Sequence, residues 1–258
     1  MPTARERAVV LFVVGDEILG GKRADRHVAR VVGLLAARGM RLSGVRLLAD
    51  DERAIAVALR QCRRDLVLSC GGIGATPDDC TRQGAARAYR RRLVPHAEAV
   101  ALIEAQYGAS ARPNRVRMAE FPRGAGLIPN PVNRVAGFFV GDHHFVPGFP
   151  EMAWPMLEWV LDTRYPHLRR ADPDVEFSLR ATGSSEGDLL GLMERVLARH
   201  RGLKLSSLPF RGDAARPRHI EFGFRAPRAT AAKAFREFRA ALRKRGVPVE
   251  DLAPPAGA

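Results

Sequence analysis

Residues 65–83 read DLVLSCGGIGATPDDCTRQ. Apolar residues run into Gly71, Gly72 and Gly74, followed by the hydroxyls of Thr76 and Thr81 with two carboxylates, Asp78 and Asp79, between them. A glycine loop between a strand and a helix lets backbone N–H groups close on an anion, and the helix dipole adds partial positive charge. No Gly-Lys-Ser/Thr follows, as a Walker A loop requires, and the spacing is not G-x-G-x-x-G. Taken alone, the stretch is either a tight turn or a phosphate cradle. Two acids beside a phosphate repel it unless a divalent cation or a general base is wanted there. Asp78 and Asp79 are therefore the candidate catalytic residues. The competing assignment is that one of them caps the helix.

A second acidic loop, GDEILGGKRAD at 15–25, supplies Asp16, Glu17 and Asp25. In a parallel sheet it lies at the carboxyl edge, where crevice ligands bind. Asp79 with Asp16 or Glu17 is the candidate set for a divalent metal, Mg, Mn or Co.

The elements that must position these groups alternate. Residues 8–14 are a continuous apolar run suited to a strand buried on both faces. RHVARVVGLLAARGM then has helical spacing and ends near Gly39. RLSGVRLL reads as a strand, DDERAIAVALRQC as a helix with acids at its start, DLVLSC as a third strand and DDCTRQGAARAY as the helix after the glycine loop. Strand–helix alternation predicts a parallel α/β sheet. A helix follows at 95–107, then a turn-rich stretch, ARPNRVRMAEFPRGAGLIPNP. AGFFVGDHHFV reads as two short strands with His143 and His144 exposed at the turn, and EMAWPMLEWVLDTRY as a helix with Pro155 in its first turns. HLRRADPD, 167–174, is a linker by composition. The pattern then changes to β-α-β-β-α, with Ser184 or Ser185 capping the first helix. The expected organisation is a domain at 1–168, a small α+β domain at 172–252 and a disordered tail at 253–258.

The 258 residues carry 42 Lys and Arg against 28 Asp and Glu, a net charge of +14. The arginines are dispersed, so nucleic acid is not the expected partner; a small phosphorylated molecule is. Three cysteines without C-x-x-C indicate neither a disulfide framework nor a zinc ribbon, and Cys70 reads as a buried strand-end residue. No apolar run spans a bilayer and the N-terminus does not continue as a signal peptide, so a cytoplasmic protein without membrane association is expected.

Four stretches occur in order: GDEILGG…D (15–25), SCGGIGATPDDCTRQ (69–83), NPV (130–132) and VPGFPEM (146–152). Together they resemble the MoaB/Mog-like molybdopterin-binding domain, most closely the version at the N-terminus of competence/damage-inducible protein A. The resemblance covers about residues 8–165, and the second domain is similar to the KH-like α+β module that follows in that family. No counterpart of the family's C-terminal amidase domain is expected. The resemblance implies a three-layer α/β/α fold with a mostly parallel sheet. It also implies binding of molybdopterin or an ADP-ribose-like nucleotide, and a homo-oligomer, a dimer. Carried over by motif, Gly71, Gly72, Gly74, Thr76 and Thr81 line the phosphate site with Asp79 as key acid. Asp16, Glu17 and Asp25 face it, and Asn130, Pro131, Pro147 and Gly148 form the far wall. The activity implied is metal-dependent cleavage of a nucleotide pyrophosphate. The alternatives are adenylyl transfer to molybdopterin or ligand binding without catalysis. This chain departs from the family at Arg26-His27, Gln83 and Asn133-Arg134. The last pair replaces a glycine-threonine loop and implies altered specificity or lost catalysis.

Overall fold

The computed structural model describes residues 8–170 and 173–253. The chain divides into two compact units, residues 1–35 with 41–169, and 36–40 with 170–258.

The first unit opens with β1 (Val9–Val14), a one-turn α1 (Asp16–Leu19), α2 (His27–Ala36), β2 (Gly44–Leu48), α3 (Glu52–Gln61) and β3 (Leu66–Cys70). It continues with α4 (Thr81–Tyr89), β4 (Leu93–Pro95), α5 (Ala97–Tyr107), β5 (Glu120–Pro122), β6 (Gly126–Ile128), β7 (Gly137–Val140), β8 (His143–Val146) and α6 (Pro150–Arg164). Six strands form one sheet in the order β2-β1-β3-β8-β7-β6. The first four run parallel, and β7 and β6 are antiparallel additions at one side. Every residue of β1, β3 and β8 is buried. Apolar side chains on both faces of a strand require cover on both, hence the uninterrupted VVLFVV and LVLSC runs. Phe12, Val10 and Val14 pack in one core with Ile55 and Leu59 of α3 and Ile103 of α5. In that core Phe121, Phe138 and Phe145 stack in sequence, with ring centroids 4.8 and 4.5 Å apart.

Register brings the functional ends together. Val13 pairs with Cys70, and Cys70 pairs with Val146. The carboxyl ends of β1, β3 and β8 therefore lie side by side. Cys70 is buried at its strand end, as its residue type indicated, and burial pushes its thiol pKa well above the usual value.

The expected position of His143 and His144 is corrected. The turn is Gly141-Asp142, and the two histidines open β8 and are buried. Because β8 pairs with β3 as an interior strand, its first residues cannot face water. His143 Nε2 lies 3.0 Å from Cys62 O and His144 Nδ1 3.2 Å from Val67 O. Arg164 Nε donates to His144 Nε2 at 3.1 Å, which places the His144 proton on Nδ1. The turn-rich reading of 111–131 also changes: it contains β5 and β6, and β5 pairs with β4 in a separate two-stranded sheet.

The second unit contains β9 (Asp174–Thr182), α7 (Glu186–Arg199), β10 (Lys204–Phe210), β11 (His219–Pro227), α8 (Arg228–Lys244) and β12 (Val249–Leu252). Its sheet is antiparallel in the order β10-β11-β9-β12. Phe222 and Phe224 of β11 pack with Phe235 and Phe238 of α8. Ser185 caps α7 in a capping box with Asp188. The fourth strand, VEDL, adds to the expected β-α-β-β-α. The linker stretch starts in a 3-10 turn at Pro166–Leu168; residues 171–172 and the expected tail, 254–258, lie outside the described residues. Among the described residues no helix is long and apolar enough to cross a membrane.

Burial lowers the His144 pKa from the usual histidine value to about 3. A histidine kept neutral in the fold but free to protonate when unfolded contributes stability above pH ~6.5 that is lost as pH falls. The stability advantage of wild type over His144→Gln should therefore shrink by about 1 kcal/mol per pH unit below that point. Urea unfolding at pH 7, 6 and 5 measures it; a constant difference would exclude a buried neutral His144.

Candidate functional site

The carboxyl ends of β1, β3 and β8 open into a cavity of about 700 Å³. Its centre is the glycine loop. Three carbonyls of that loop are tied back into the protein. Thr81 Oγ1 donates to Gly71 O at 3.0 Å, Thr81 N to Gly72 O at 2.9 Å, and Arg82 Nη2 to Gly74 O at 2.6 Å. Among the described residues no acceptor meets the N–H groups of Gly72, Ile73, Gly74 and Ala75. A loop with its carbonyls turned inward and successive N–H groups unpaired is an anion-binding nest. Gly72 has φ +67°, and a Cβ there would run into Thr81 Oγ1. Gly74 is a close-approach glycine, because a Cβ would collide with the Asp79 carboxylate.

The acids take distinct places. Neither Asp78 nor Asp79 caps α4, which begins at Thr81 behind Cys80 with no side-chain cap. Asp79 Oδ2 instead accepts from Thr76 N at 2.9 Å and from the Thr76 hydroxyl, closing the 76–79 turn. Asp78 is exposed at the cavity wall. Glu17 lines the cavity with its carboxylate folded over Gly15. Asp16 is a brace: Asp50 N donates to its Oδ1 at 3.2 Å, and Asp16 N donates to Asp50 Oδ2 at 3.0 Å. Asp25 caps α2, accepting from His27 N and Val28 N at 3.0 Å each. Thr81 is fully buried and serves the loop from behind.

Asp50 faces the cavity, and its pKa is raised, first by partial burial and then by Asp16, Glu17 and Asp78. Lys22 and Arg23 line the same cavity and supply the opposing charge. The metal set Asp79, Asp16 and Glu17 does not converge. Asp79 is turned to Thr76 and Asp16 to the Asp50 backbone. Among the described residues no group of three or more His, Cys, Asp or Glu is arranged to hold an ion. The three acids named for a metal are thus not gathered into one preformed ion site.

Pro147 and Gly148 line the far wall. His27 Nε2 lies 3.1 Å from Gly148 O, so the departure at position 27 reaches the wall through one backbone carbonyl. Asn130 and Pro131 are set back from the cavity, which Asn133 and Val135 reach instead. Asn130 is buried; its amide donates to Asn133 Oδ1 at 2.8 Å and Val135 O at 3.1 Å, and its Oδ1 accepts from Val132 N at 3.0 Å. Arg134 adopts φ +60°, a left-handed conformation unusual for a side chain of its size.

Sequence reasoning missed Asp50, Arg82, Lys22 and Arg23 as site residues. Asp50 was hidden beside Asp51, whose carboxylate does cap α3. The lysine and arginine sat inside a loop read only for its acids.

The chain's family is a matter of sequence as well as fold. Residues 10–169 match the family model described as "Probable molybdopterin binding domain", and the chain belongs to that family. Relatives include a CinA-like protein of Syntrophotalea carbinolica, 34% identical over 188 residues covering 69% of this chain and 46% of that protein. Another, from Citrifermentans bemidjiense, is 36% identical over 200 residues, covering 73% and 48%. The chain thus spans about half the length of these relatives. The crystal structure of CinA from Thermoplasma acidophilum, described as of unknown function, superposes with a TM-score of 0.56 at 30% identity, covering 60% of this chain and 98% of that one.

Two substitutions test the loop geometry. Gly72→Ala combines a left-handed φ with a collision against Thr81, so it should destabilise the fold by about 2 kcal/mol or more in chemical denaturation. A near-neutral result would mean Thr81 does not stand behind Gly72. Asp50→Asn should raise the melting temperature at pH 7, because a carboxyl with a raised folded pKa opposes folding once ionised. That gain should fade toward pH 4, where both folded and unfolded carboxyls take up protons. A gain that persists unchanged at pH 4 would contradict this origin.

Proposed function

We propose that the cleft binds a phosphate-bearing pterin or an ADP-containing nucleotide, with the phosphate on the N–H groups of residues 72–75. The observation that carries this reading is Arg82. Its side chain is 3% exposed, and its hydrogen bonds go to the carbonyls of Gly74 and Arg117 rather than to a carboxylate. Burial works against its charge, with attraction from Glu120 and Asp79 opposing that cost. A buried cation is expensive without a close counter-ion. Here it stands directly behind a row of unpaired N–H groups, where a bound phosphate offsets the cost. The same guanidinium holds the Gly74 carbonyl inward.

Asp50 favours a second step, cleavage of a ligand's diphosphate. Water would attack one phosphorus, Asp50 would take its proton, and the bridging P–O bond would break, with the leaving phosphate protonated from solvent. A raised pKa suits a carboxylate for such proton transfer.

Calorimetric titration with ADP-ribose, ADP, and ATP plus molybdopterin, each with and without Mg²⁺, Mn²⁺ or Co²⁺, tests the reading. Binding of at least one at micromolar affinity is expected, and product analysis separates hydrolysis, adenylyl transfer and binding without turnover. No binding by wild type would overturn it. Arg82→Met should weaken ADP at least tenfold, whereas unchanged affinity would remove Arg82 from the site.

A further inference from the structure

The chain has 12 phenylalanines, and those at 12, 121, 138, 145, 222, 224 and 238 are among its largest fully buried side chains. Phe149 lies at the other extreme. It is 54% exposed, the only aromatic among the large exposed apolar side chains of the described residues. It lines the cavity beside Gly148 and Met152. Its residue type has no account in the helix it precedes: it occupies the cap position of α6 and makes no side-chain cap.

Its backbone is nonetheless firmly held. Phe149 O accepts from Met152 N at 3.0 Å and Ala153 N at 2.8 Å, and Pro150 fixes the first helical position. On the other side Gly148 packs against the glycine loop, since a Cβ there would stand 3.3 Å from Gly71 Cα. The ring is thus mounted on a rigid base at the lip of the phosphate nest. The other apolar end of the cavity, with Ile73, Tyr107, Met118 and Val135, belongs to the hydrophobic core and is accounted for by packing.

Resting on the phosphate-binding reading above, we propose that Phe149 is the specificity-determining residue of the cleft. Its ring stacks on the flat heterocycle of the ligand, a purine or a pterin, while the attached phosphate occupies the 72–75 N–H groups. Aromatic side chains stack on heterocyclic bases through offset π-contacts that also remove apolar area from water. This selects ligands with a planar ring on the phosphate over phosphates alone.

The test pairs two probes, ADP and inorganic pyrophosphate, titrated into wild type, Phe149→Ala and Phe149→Trp. Phe149→Ala should weaken ADP at least tenfold and leave pyrophosphate within twofold, and Phe149→Trp should restore ADP binding. Equal weakening of both probes would show that Phe149 supports the loop and not the ring, and unchanged ADP affinity would overturn the proposal. So would a change in sedimentation without a change in ADP affinity, which would assign the ring to a contact between copies of this chain. Wild type binding neither probe would overturn the phosphate-binding reading with it. Wild type binding pyrophosphate with the ADP preference intact in Phe149→Ala would overturn the stacking alone.

Discussion

The site depends on the direction in which one short backbone segment faces. Gly71, Gly72 and Gly74 each give a carbonyl to a partner on the protein side, two of them to Thr81 and one to Arg82. Backbone polar groups need partners, so tying the carbonyls inward leaves the N–H groups for whatever enters the cleft. Thr81 and Arg82 are neighbours at the start of α4. The helix therefore serves the loop through two side chains and one backbone N–H, and Gly72 is required where the Thr81 side chain stands. Helix, loop and ligand face form one unit, with no step of it at the surface.

Around that unit the carboxylates divide into braces and open groups. Asp16, Asp25 and Asp79 each accept backbone N–H groups, which fixes the β1 loop, the start of α2 and the 76–79 turn. Glu17 and Asp78 are left at the cavity wall, and Asp50 and Asp79 line it while each also accepts a backbone N–H. Such a concentration of negative charge would repel an anion, but Arg82 lies behind the loop and Lys22 and Arg23 lie on the rim. The cleft therefore carries both signs, with Arg82 behind the loop and Lys22 and Arg23 at the wall beside Glu17, Asp50 and Asp78. A phosphate-bearing ligand of the kind proposed above would meet N–H donors and carboxylates together.

Much of this was legible in the residues. VVLFVV and LVLSC could only be interior strands, and GGIG between a strand and a helix marked the cradle. What sequence could not give was side-chain direction. Asp79 and Asp16 have the chemistry of ligands and the geometry of braces, because a nearby N–H, invisible to spacing, claims each carboxylate. Asp50 and Asp51 look equivalent, yet one caps a helix and the other faces the cavity. His143 and His144 follow a Gly-Asp turn, and polar residues there read as exposed until β8 is known to pair with β3. The strands EFP, GLI and VEDL are too short for alternation to show. Arg82 passed unnoticed because a basic residue in a helix is ordinarily solvated.

Two of the departures from the family pattern, at His27 and at Asn133-Arg134, fall on the wall opposite the cradle and are absorbed by the backbone. His27 turns its Nε2 to the Gly148 carbonyl. Asn133 takes the Val135 N–H and the Asn130 amide, which lets Arg134 sit left-handed where a glycine would be relaxed. Such a conformation costs an arginine about 1 kcal/mol or more, and the two-asparagine knot holds it in place. The glycine loop, by contrast, keeps every contact its residue types call for. A phosphate is the same object in any ligand, whereas the group attached to it differs. A cradle with a fixed frame and a wall rebuilt residue by residue is therefore what a change of ligand within one fold requires, and on this wall the rebuilt positions are His27 and Asn133.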